Sequence, residues 1–146
     1  MDKVEALRGS ALMRALTEGQ LESLAGFANE REYQPGQYLI RAGETGAIAM
    51  YVILEGRVEI SRDGTPLAIM GPGQHIGEMA LLGPEDMPRT ADAVAVEPTR
   101  VLTLARWDIL PLLDTNPEVA KALITELARR LVLADDRLTR ILSGQE

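Results

Sequence analysis

The stretch from residue 76 to residue 95, IGEMALLGPEDMPRTADAVA, carries residues whose types and spacing could bind a phosphorylated ligand. The segment GEMALLG, which begins at Gly77, could form one helical turn between strands. Unpaired N–H groups at the start of such a turn attract anions, and Gly77 has no Cβ to keep a ligand away from the backbone. Glu78 would repel a phosphate there. We therefore expect Glu78 to accept a hydrogen bond from a ribose hydroxyl.

Arg89 supplies a fixed positive charge eleven residues after Glu78. Its planar guanidinium can donate paired hydrogen bonds to phosphate oxygens, and Thr90 adds a hydroxyl beside it. An anion-binding turn, an acid for the sugar and an arginine for the phosphate together fit a nucleotide that carries one phosphate. The alternative is that Glu78 and Arg89 pair with each other and brace the loop, which contributes only ~0–1 kcal/mol at a protein surface.

The rest of the chain predicts a small β-roll that holds this stretch between helices. Residues 1–30 are expected to be helical, with Thr17 and Gln20 at the spacing of a capping box. From residue 31 to 106, glycine recurs every few residues among short runs of strand composition, and RDGT is a hairpin turn signal. The predicted strands are QYLIR, AMYVILEG, RVEISR, PLAIM, ADAVAV and TRVLTLA. The predicted fold class is α+β, mainly β: an antiparallel β-roll or jelly roll flanked by N-terminal helices and a long C-terminal helix.

Residues 107–142 are predicted to form the C-terminal helices. RWDILPLLD should be a short helix that Pro111 bends or ends. Asn116 is expected to cap a long helix that runs from about Pro117 to Leu142, ~39 Å in length. Apolar residues along this helix alternate intervals of four and three: Ala120, Ile124, Leu127, Leu131, Ala134, Leu138 and Ile141. Because one small roll cannot cover so long a helix, we expect this seam to join two copies in a homodimer.

Composition argues against several classes of function. The 146 residues, 46% of them hydrophobic, suit one globular domain. The sequence has no cysteine, and its one histidine, His75, cannot build a zinc or iron site alone, so we expect no metal and assign His75 no role. A net charge of −7 with scattered basic residues argues against direct DNA binding. No apolar run approaches the ~18 residues of a membrane span, so we expect a soluble, cytoplasmic protein.

The motifs IGEMALL and PRTADAV resemble the phosphate-binding cassette of cyclic nucleotide-binding domains. This family occurs in catabolite activator-type regulators, protein kinase regulatory subunits and cyclic-nucleotide-gated channels, and its cassette joins an aromatic-Gly-Glu motif to an Arg-Ser/Thr-Ala motif. The segments YQPGQYLIRAGE and MYVILEGRVEI are similar to earlier strands of the family, and NPEVAKALITELARRL is similar to the long helix of the catabolite activator type. The resemblance implies a single domain over residues 1–146, with its cassette at 76–91, that binds cAMP or cGMP.

The resemblance also implies roles for individual residues. Glu78 would hold the ribose 2′-hydroxyl, and Arg89 would pair with the cyclic phosphate. The remaining candidates are the backbone and hydroxyl donors Gly77, Met79, Ala80 and Thr90 with the adjoining Ala91, the base-pocket residues Ile60 and Met70, and the purine neighbours Arg130, Ala134 and Asp135 on the long helix.

Several positions depart from the family pattern and bear on the ligand, among them Ala134 and Asp135, which stand where the catabolite activator type has small hydroxyl residues at the base. Ile76 stands where an aromatic residue is common, and Asp92 and Ala93 replace the usual Ser/Thr and Val. Asp92 would weaken phosphate binding if its carboxylate points inward, although strand alternation should turn Ala91 and Asp92 to opposite faces. Thr90 and a helix carboxylate such as Asp135 favour cGMP, whereas cAMP is the commoner ligand of the family. We expect cAMP by a small margin.

The sequence therefore predicts a non-enzymatic sensor that signals to an unknown downstream protein by movement of its C-terminal helix. One alternative is a docking or dimerisation module of the same fold that no longer binds nucleotide. Another is a cupin-type metal enzyme, which would need more histidines than the sequence holds. The chain ends at LSGQE without a helix-turn-helix, so it could be a sensor without its own effector, which Met1 weakly favours, or part of a longer protein.

Overall fold

The computed structural model describes residues 2–10, 13–14, 16–45, 49–78, 83–84 and 88–144. The helices in these ranges are α1 (Lys3–Gly9), α2 (Glu18–Phe27), α3 (Arg106–Thr115) and α4 (Pro117–Leu142). The strands are β1 (Asn29–Tyr33), β2 (Tyr38–Ile40), β3 (Ala49–Glu55), β4 (Val58–Arg62), β5 (Thr65–Met70), β6 (His75–Ile76), β7 (Asp92–Ala95) and β8 (Thr99–Ala105). The predicted α+β roll, flanked by N-terminal helices and one long C-terminal helix, is confirmed.

The strands form two four-stranded sheets, in the orders β1-β8-β3-β6 and β2-β7-β4-β5. Every strand pair is antiparallel. The hairpin turn between β4 and β5 falls on the predicted RDGT, where Asp63 has φ 51° and Gly64 has φ 78°. Two consecutive residues with positive φ are what a tight two-residue hairpin of the natural twist requires.

Strand β3 explains how the chain builds two hydrophobic cores from one sheet. Its alternate residues Met50, Val52 and Leu54 pack with the helices, whereas Tyr51 and Ile53 face the interior of the roll. Because both faces of the strand are covered, its sequence is a continuous apolar run rather than an alternation of apolar and polar residues. Strand β8 is divided in the same way between the two cores.

The N-terminal third differs in part from its prediction. The capping box of Thr17 and Gln20 at the start of α2 is present in both of its hydrogen bonds. The predicted helical region of residues 1–30 is wrong at its end, because β1 begins at Asn29. This strand, NEREY, is polar, and its pairing with β8 rather than its own composition makes it a strand.

The C-terminal helices begin and end close to the predicted residues, but two local features differ. Pro111 does not end α3, which continues past it to Thr115. Asn116 precedes α4, yet its side chain makes no capping hydrogen bond. The amide of Asn116 instead donates to the Leu112 carbonyl at 3.0 Å and thereby ties the two helices together.

Helix α4 buries side chains against the rest of the described structure in its first half, and Arg130, just past the middle of the helix, still contacts Glu78. Val119, Leu123 and Glu126 are buried, at the i, i+4, i+7 positions of one face. From residue 131 to residue 144 every residue is exposed, including Leu131 (64%) and Leu138 (53%) of the apolar seam. None of the helices in the described ranges is long and apolar enough to cross a membrane.

Candidate functional site

A cavity of about 390 Å³ opens between the second sheet, the residues before and after the cassette loop, and helix α4. This volume is within the usual range for small-molecule sites. Eight of the twelve predicted site residues line it: Ile60, Met70, Gly77, Glu78, Arg89, Thr90, Ala91 and Arg130. The fold thus brings residues from β4, β5, the cassette and the long helix to one place.

Arg89 is a partly buried cation with no carboxylate partner among the described residues. Its guanidinium donates to the backbone carbonyls of Ala49 at 2.7 Å and of Gly77 at 3.2 Å. Burial lowers the pKa of Arg89 from its usual value, and the charges of Tyr51, Glu44 and Glu78 oppose that shift. Neutral carbonyls orient the guanidinium without cancelling its charge, so the arrangement suits an anion brought by a ligand.

Gly77 allows Arg89 to reach its place. The residue has φ 79°, and a Cβ added there would lie 2.8 Å from Nη1 of Arg89 and 3.2 Å from Cδ1 of Ile40. A side chain at this position would therefore displace the guanidinium as well as strain the backbone. Gly77 was expected to allow close approach of a ligand, and in the structure it also allows close approach of the Arg89 side chain.

The backbone around Arg89 is tied to the turn that follows β2. The amide N–H of Arg89 donates to the Glu44 carbonyl at 2.8 Å, and the N–H of Gly43 donates to the Arg89 carbonyl at 2.8 Å. In the same turn the N–H of Ala42 donates to Oδ1 of Asp92 at 2.7 Å. The Asp92 carboxylate, whose direction the sequence left open, is thus engaged by a backbone donor while the residue borders the cavity. Ala91 and Asp92 both line the cavity, and strand β7 begins only at Asp92, so the strand alternation on which the prediction rested does not extend back to Ala91.

Glu78 pairs with the long helix and not with Arg89 in the described structure. Nη2 of Arg130 donates to Oε1 of Glu78 at 2.9 Å. The pairing joins the cassette to α4 at the point where the helix leaves the roll. A movement of the helix would therefore change the surroundings of the carboxylate that is predicted to hold the sugar.

Two polar residues of the cavity were missed by the sequence analysis. Nε of Arg62, at the end of β4, donates to the Thr90 carbonyl at 3.0 Å. His75, to which no role was assigned, is buried and lies within hydrogen-bond distance of both Ser10 and Arg130. The position of His75 directly before the cassette was the one local signal, since its partners are 65 and 55 residues away.

The other four predicted residues are two that lie away from the cavity and two that the structure does not describe. Ala134 and Asp135 lie on the exposed second half of α4, and neither lines the cavity. Their contact with a purine stays a prediction that requires the helix to move or a second copy to contribute. Met79 and Ala80, together with the predicted helical turn of GEMALLG, fall outside the described residues.

Comparison with known families identifies the class of domain that contains this cavity. The family model described as cyclic nucleotide-binding domain matches residues 30–116, which include most of the roll and the whole cassette. The chain belongs to the cyclic nucleotide-binding domain family.

Individual relatives place the same domain in proteins of different kinds. The chain is 37% identical over 145 residues to the cyclic AMP receptor protein of Thermus thermophilus, covering 96% of this chain and 65% of that protein. It is 32% identical over 133 residues to glutaminase 2 of Bradyrhizobium diazoefficiens, covering 88% of this chain and 21% of that protein. The chain thus spans less than two thirds of either relative.

A solved structure also has the same fold. The N-terminal domain of a transcriptional regulator from Streptomyces coelicolor superposes with a TM-score of 0.79 at 35% identity, over 90% of this chain and 95% of that one.

The described residues hold no group of three or more histidine and acidic side chains placed to share a metal ion.

Proposed function

We propose that this chain binds a cyclic mononucleotide in the cavity between the cassette and α4, as a regulatory sensor without enzymatic activity of its own. The observation that carries the proposal is that Arg89 and Glu78 line one cavity of suitable volume. No described carboxylate pairs with Arg89, so its guanidinium is available to bind the cyclic phosphate. Glu78 presents an acceptor for the ribose 2′-hydroxyl.

We propose cAMP as the ligand, ahead of cGMP by a small margin. One support is the relative named cyclic AMP receptor protein, which is similar over nearly the whole of this chain. Thr90 borders the cavity and could donate to a guanine, which keeps cGMP as the competing ligand. Asp135 is exposed and does not line the cavity in this structure, so it would favour cGMP only after a movement of α4 or in a second copy.

The proposed signal is a movement of α4. Arg130 connects the helix to Glu78, so a ribose hydroxyl at Glu78 would bias the position of the helix. Hydrogen exchange along residues 117–142, measured with and without cAMP, should show altered protection. Unchanged protection throughout the helix would contradict the model.

We further propose that the apolar seam of α4 joins two copies of the chain in a homodimer. Ile124, Leu131, Leu138 and Ile141 are each at least half exposed, at 65%, 64%, 53% and 50%. A stripe of this length at heptad spacing is typical of a helix that packs on a second helix.

The competing function is a docking module that keeps the fold without binding nucleotide. Calorimetric titration of the purified, nucleotide-free chain with cAMP and with cGMP separates the two functions. Saturable heat with either nucleotide supports the sensor, and its absence in a folded sample supports the docking module. The single-domain organisation, the downstream protein partner, the absence of direct DNA binding and the cytoplasmic location stay predictions.

A further inference from the structure

His75 lies at the centre of a buried chain of polar contacts that joins three parts of the molecule. Nδ1 of His75 is 2.8 Å from Oγ of Ser10, at the end of α1. Nε2 is 3.2 Å from Nη1 of Arg130 on α4 and 3.7 Å from Oε2 of Glu78. His75 is 9% exposed and Ser10 is 1% exposed. Water therefore has little access to the contact between His75 and Ser10, whereas the Arg130 side chain is 38% exposed.

The partners of the two ring nitrogens determine which one carries the proton. Arginine can only donate, so Nε2 must accept from Arg130 and cannot carry a hydrogen. The hydrogen of the neutral ring is then on Nδ1 and is donated to the Ser10 hydroxyl. In this form Arg130 holds Oε1 of Glu78, and Oε2 stays beyond hydrogen-bond distance of the histidine.

We propose that His75 is a positioning residue of the nucleotide site. In its neutral form it holds Arg130 against Oε1 of Glu78 and leaves Oε2 for the ribose hydroxyl. In its protonated form it takes Oε2 itself, repels Arg130 and so weakens nucleotide binding. The inference rests on the proposed function, because it assigns the acceptor of the sugar to one oxygen of Glu78.

The charges around the ring set the direction of the effect. The charged groups that face His75 are Glu78 beside it and Arg130 and Glu126 on α4. Burial is the main cause that lowers the pKa of His75 below its usual 6.5, and the charge of Arg130 adds to this shift. The carboxylates of Glu78 and Glu126 oppose it. The ring is thus neutral at pH 7 and above. A ligand that needs Oε2 binds the neutral form, so affinity should fall as the pH decreases below about 6.5.

The effect on affinity follows from the contact that is lost. A hydrogen bond to a charged group corresponds to roughly tenfold or more in affinity. Because the pKa of His75 lies below its usual 6.5, only part of this loss can appear at pH 5.5. We therefore expect the dissociation constant of the wild-type protein for cAMP to rise between pH 8 and pH 5.5, by no more than about tenfold. Ser10→Ala should weaken binding several-fold already at pH 8, because without its acceptor Nδ1 loses the proton to Nε2, which then donates to Glu78.

The test is the pH dependence of cAMP affinity in the wild-type protein and in His75→Gln. Glutamine offers Arg130 a carbonyl acceptor but does not titrate, so its affinity, whatever the value at pH 8, should change less than twofold down to pH 5.5. Glu78, Arg130 and Glu126 are present in both proteins, and their contribution cancels in the comparison. An equal pH dependence in the two proteins, or none in the wild type, would overturn the role of His75.

A second measurement reads the ring directly. Because His75 is the one histidine of the sequence, its ¹⁵N resonances can be assigned without ambiguity. We expect the Nδ1-protonated form at pH 8 and a pKa that falls further when cAMP is added. The Nε2-protonated form, or a pKa that cAMP leaves unchanged, would refute the positioning role while binding itself still holds. Failure of the wild-type protein to bind at pH 8 would instead refute the proposed function and this role with it.

Discussion

Replacement of Arg89 tests both the ligand contact and the structural part of this residue. In Arg89→Ala two hydrogen bonds to the cyclic phosphate are lost, each worth about 1.5–3 kcal/mol because the partners are charged. The combined loss of about 3–6 kcal/mol corresponds to a factor of about 10² to 10⁴ in the dissociation constant, since each 1.4 kcal/mol is about tenfold. We therefore expect Arg89→Ala to bind cAMP at least about a hundredfold more weakly than the wild type.

The same substitution should also reduce stability, which the sequence did not suggest. The carbonyls of Ala49 and Gly77 would lose their donor, at a cost of about 1–3 kcal/mol in the free energy of unfolding. Binding must therefore be measured under conditions where urea unfolding shows that the variant is folded. Arg89→Lys keeps the charge but not the paired donors, and we expect it to recover part of the affinity.

Arg57 provides the matched control because it is an exposed arginine in the turn between β3 and β4 and does not line the cavity. Arg57→Ala should change stability by less than about 0.5 kcal/mol and leave cAMP affinity unchanged. The assay is calorimetric titration of all three variants beside the wild type. If folded Arg89→Ala binds cAMP within about threefold of the wild type, the assignment of Arg89 to the phosphate is wrong.

Three further perturbations follow from the geometry. Gly77→Ala should lower the free energy of unfolding by about 1–3 kcal/mol and also weaken cAMP binding. Gly64 has a similar positive φ but nothing within 4 Å of an added Cβ, so Gly64→Ala should lower stability alone. Equal effects of the two variants on binding would contradict the contact between Gly77 and Arg89. Leu131→Asp, within the exposed apolar seam, should convert the dimer into monomers in analytical ultracentrifugation. Thr139→Asp, beside the seam, should leave the dimer intact. Identical sedimentation of the two variants would refute the helix interface. The lowered pKa of His75 means that the unfolded chain binds its proton more readily. The free energy of unfolding should therefore decrease as the pH falls below about 6.5, by at most about 1.4 kcal/mol per pH unit, and a urea titration of His75→Gln should lack this component.

The elements with strong local signals could be predicted from the sequence. Helix α4 begins at Pro117 and ends at Leu142, as the proline at its first position and the heptad spacing predicted. The β4–β5 hairpin follows from Asp63 and Gly64. Strand β1 could not be predicted, because its polar residues acquire strand structure only by pairing with β8, about 70 residues later.

The same distinction between local and long-range signals applies to the site. Glu78 and Arg89 could be predicted because the chemistry of both is carried by one short motif. Their actual partners could not, since Arg130 is 52 residues from Glu78 and Ala49 is 40 residues from Arg89. The role of His75 was missed for the same reason: a single histidine gives no pattern, and only the fold brings Ser10 and α4 to its two nitrogens.

The most direct test of the central claim is calorimetric titration of the purified chain with cAMP and with cGMP in separate experiments, after mass spectrometry has shown the sample to be free of nucleotide. The account predicts saturable binding, one nucleotide per chain, with cAMP the tighter of the two. Tighter binding of cGMP would keep the sensor and correct its ligand. The absence of heat with either nucleotide, from a folded sample at pH 8, would contradict the proposal that this cavity is a nucleotide site.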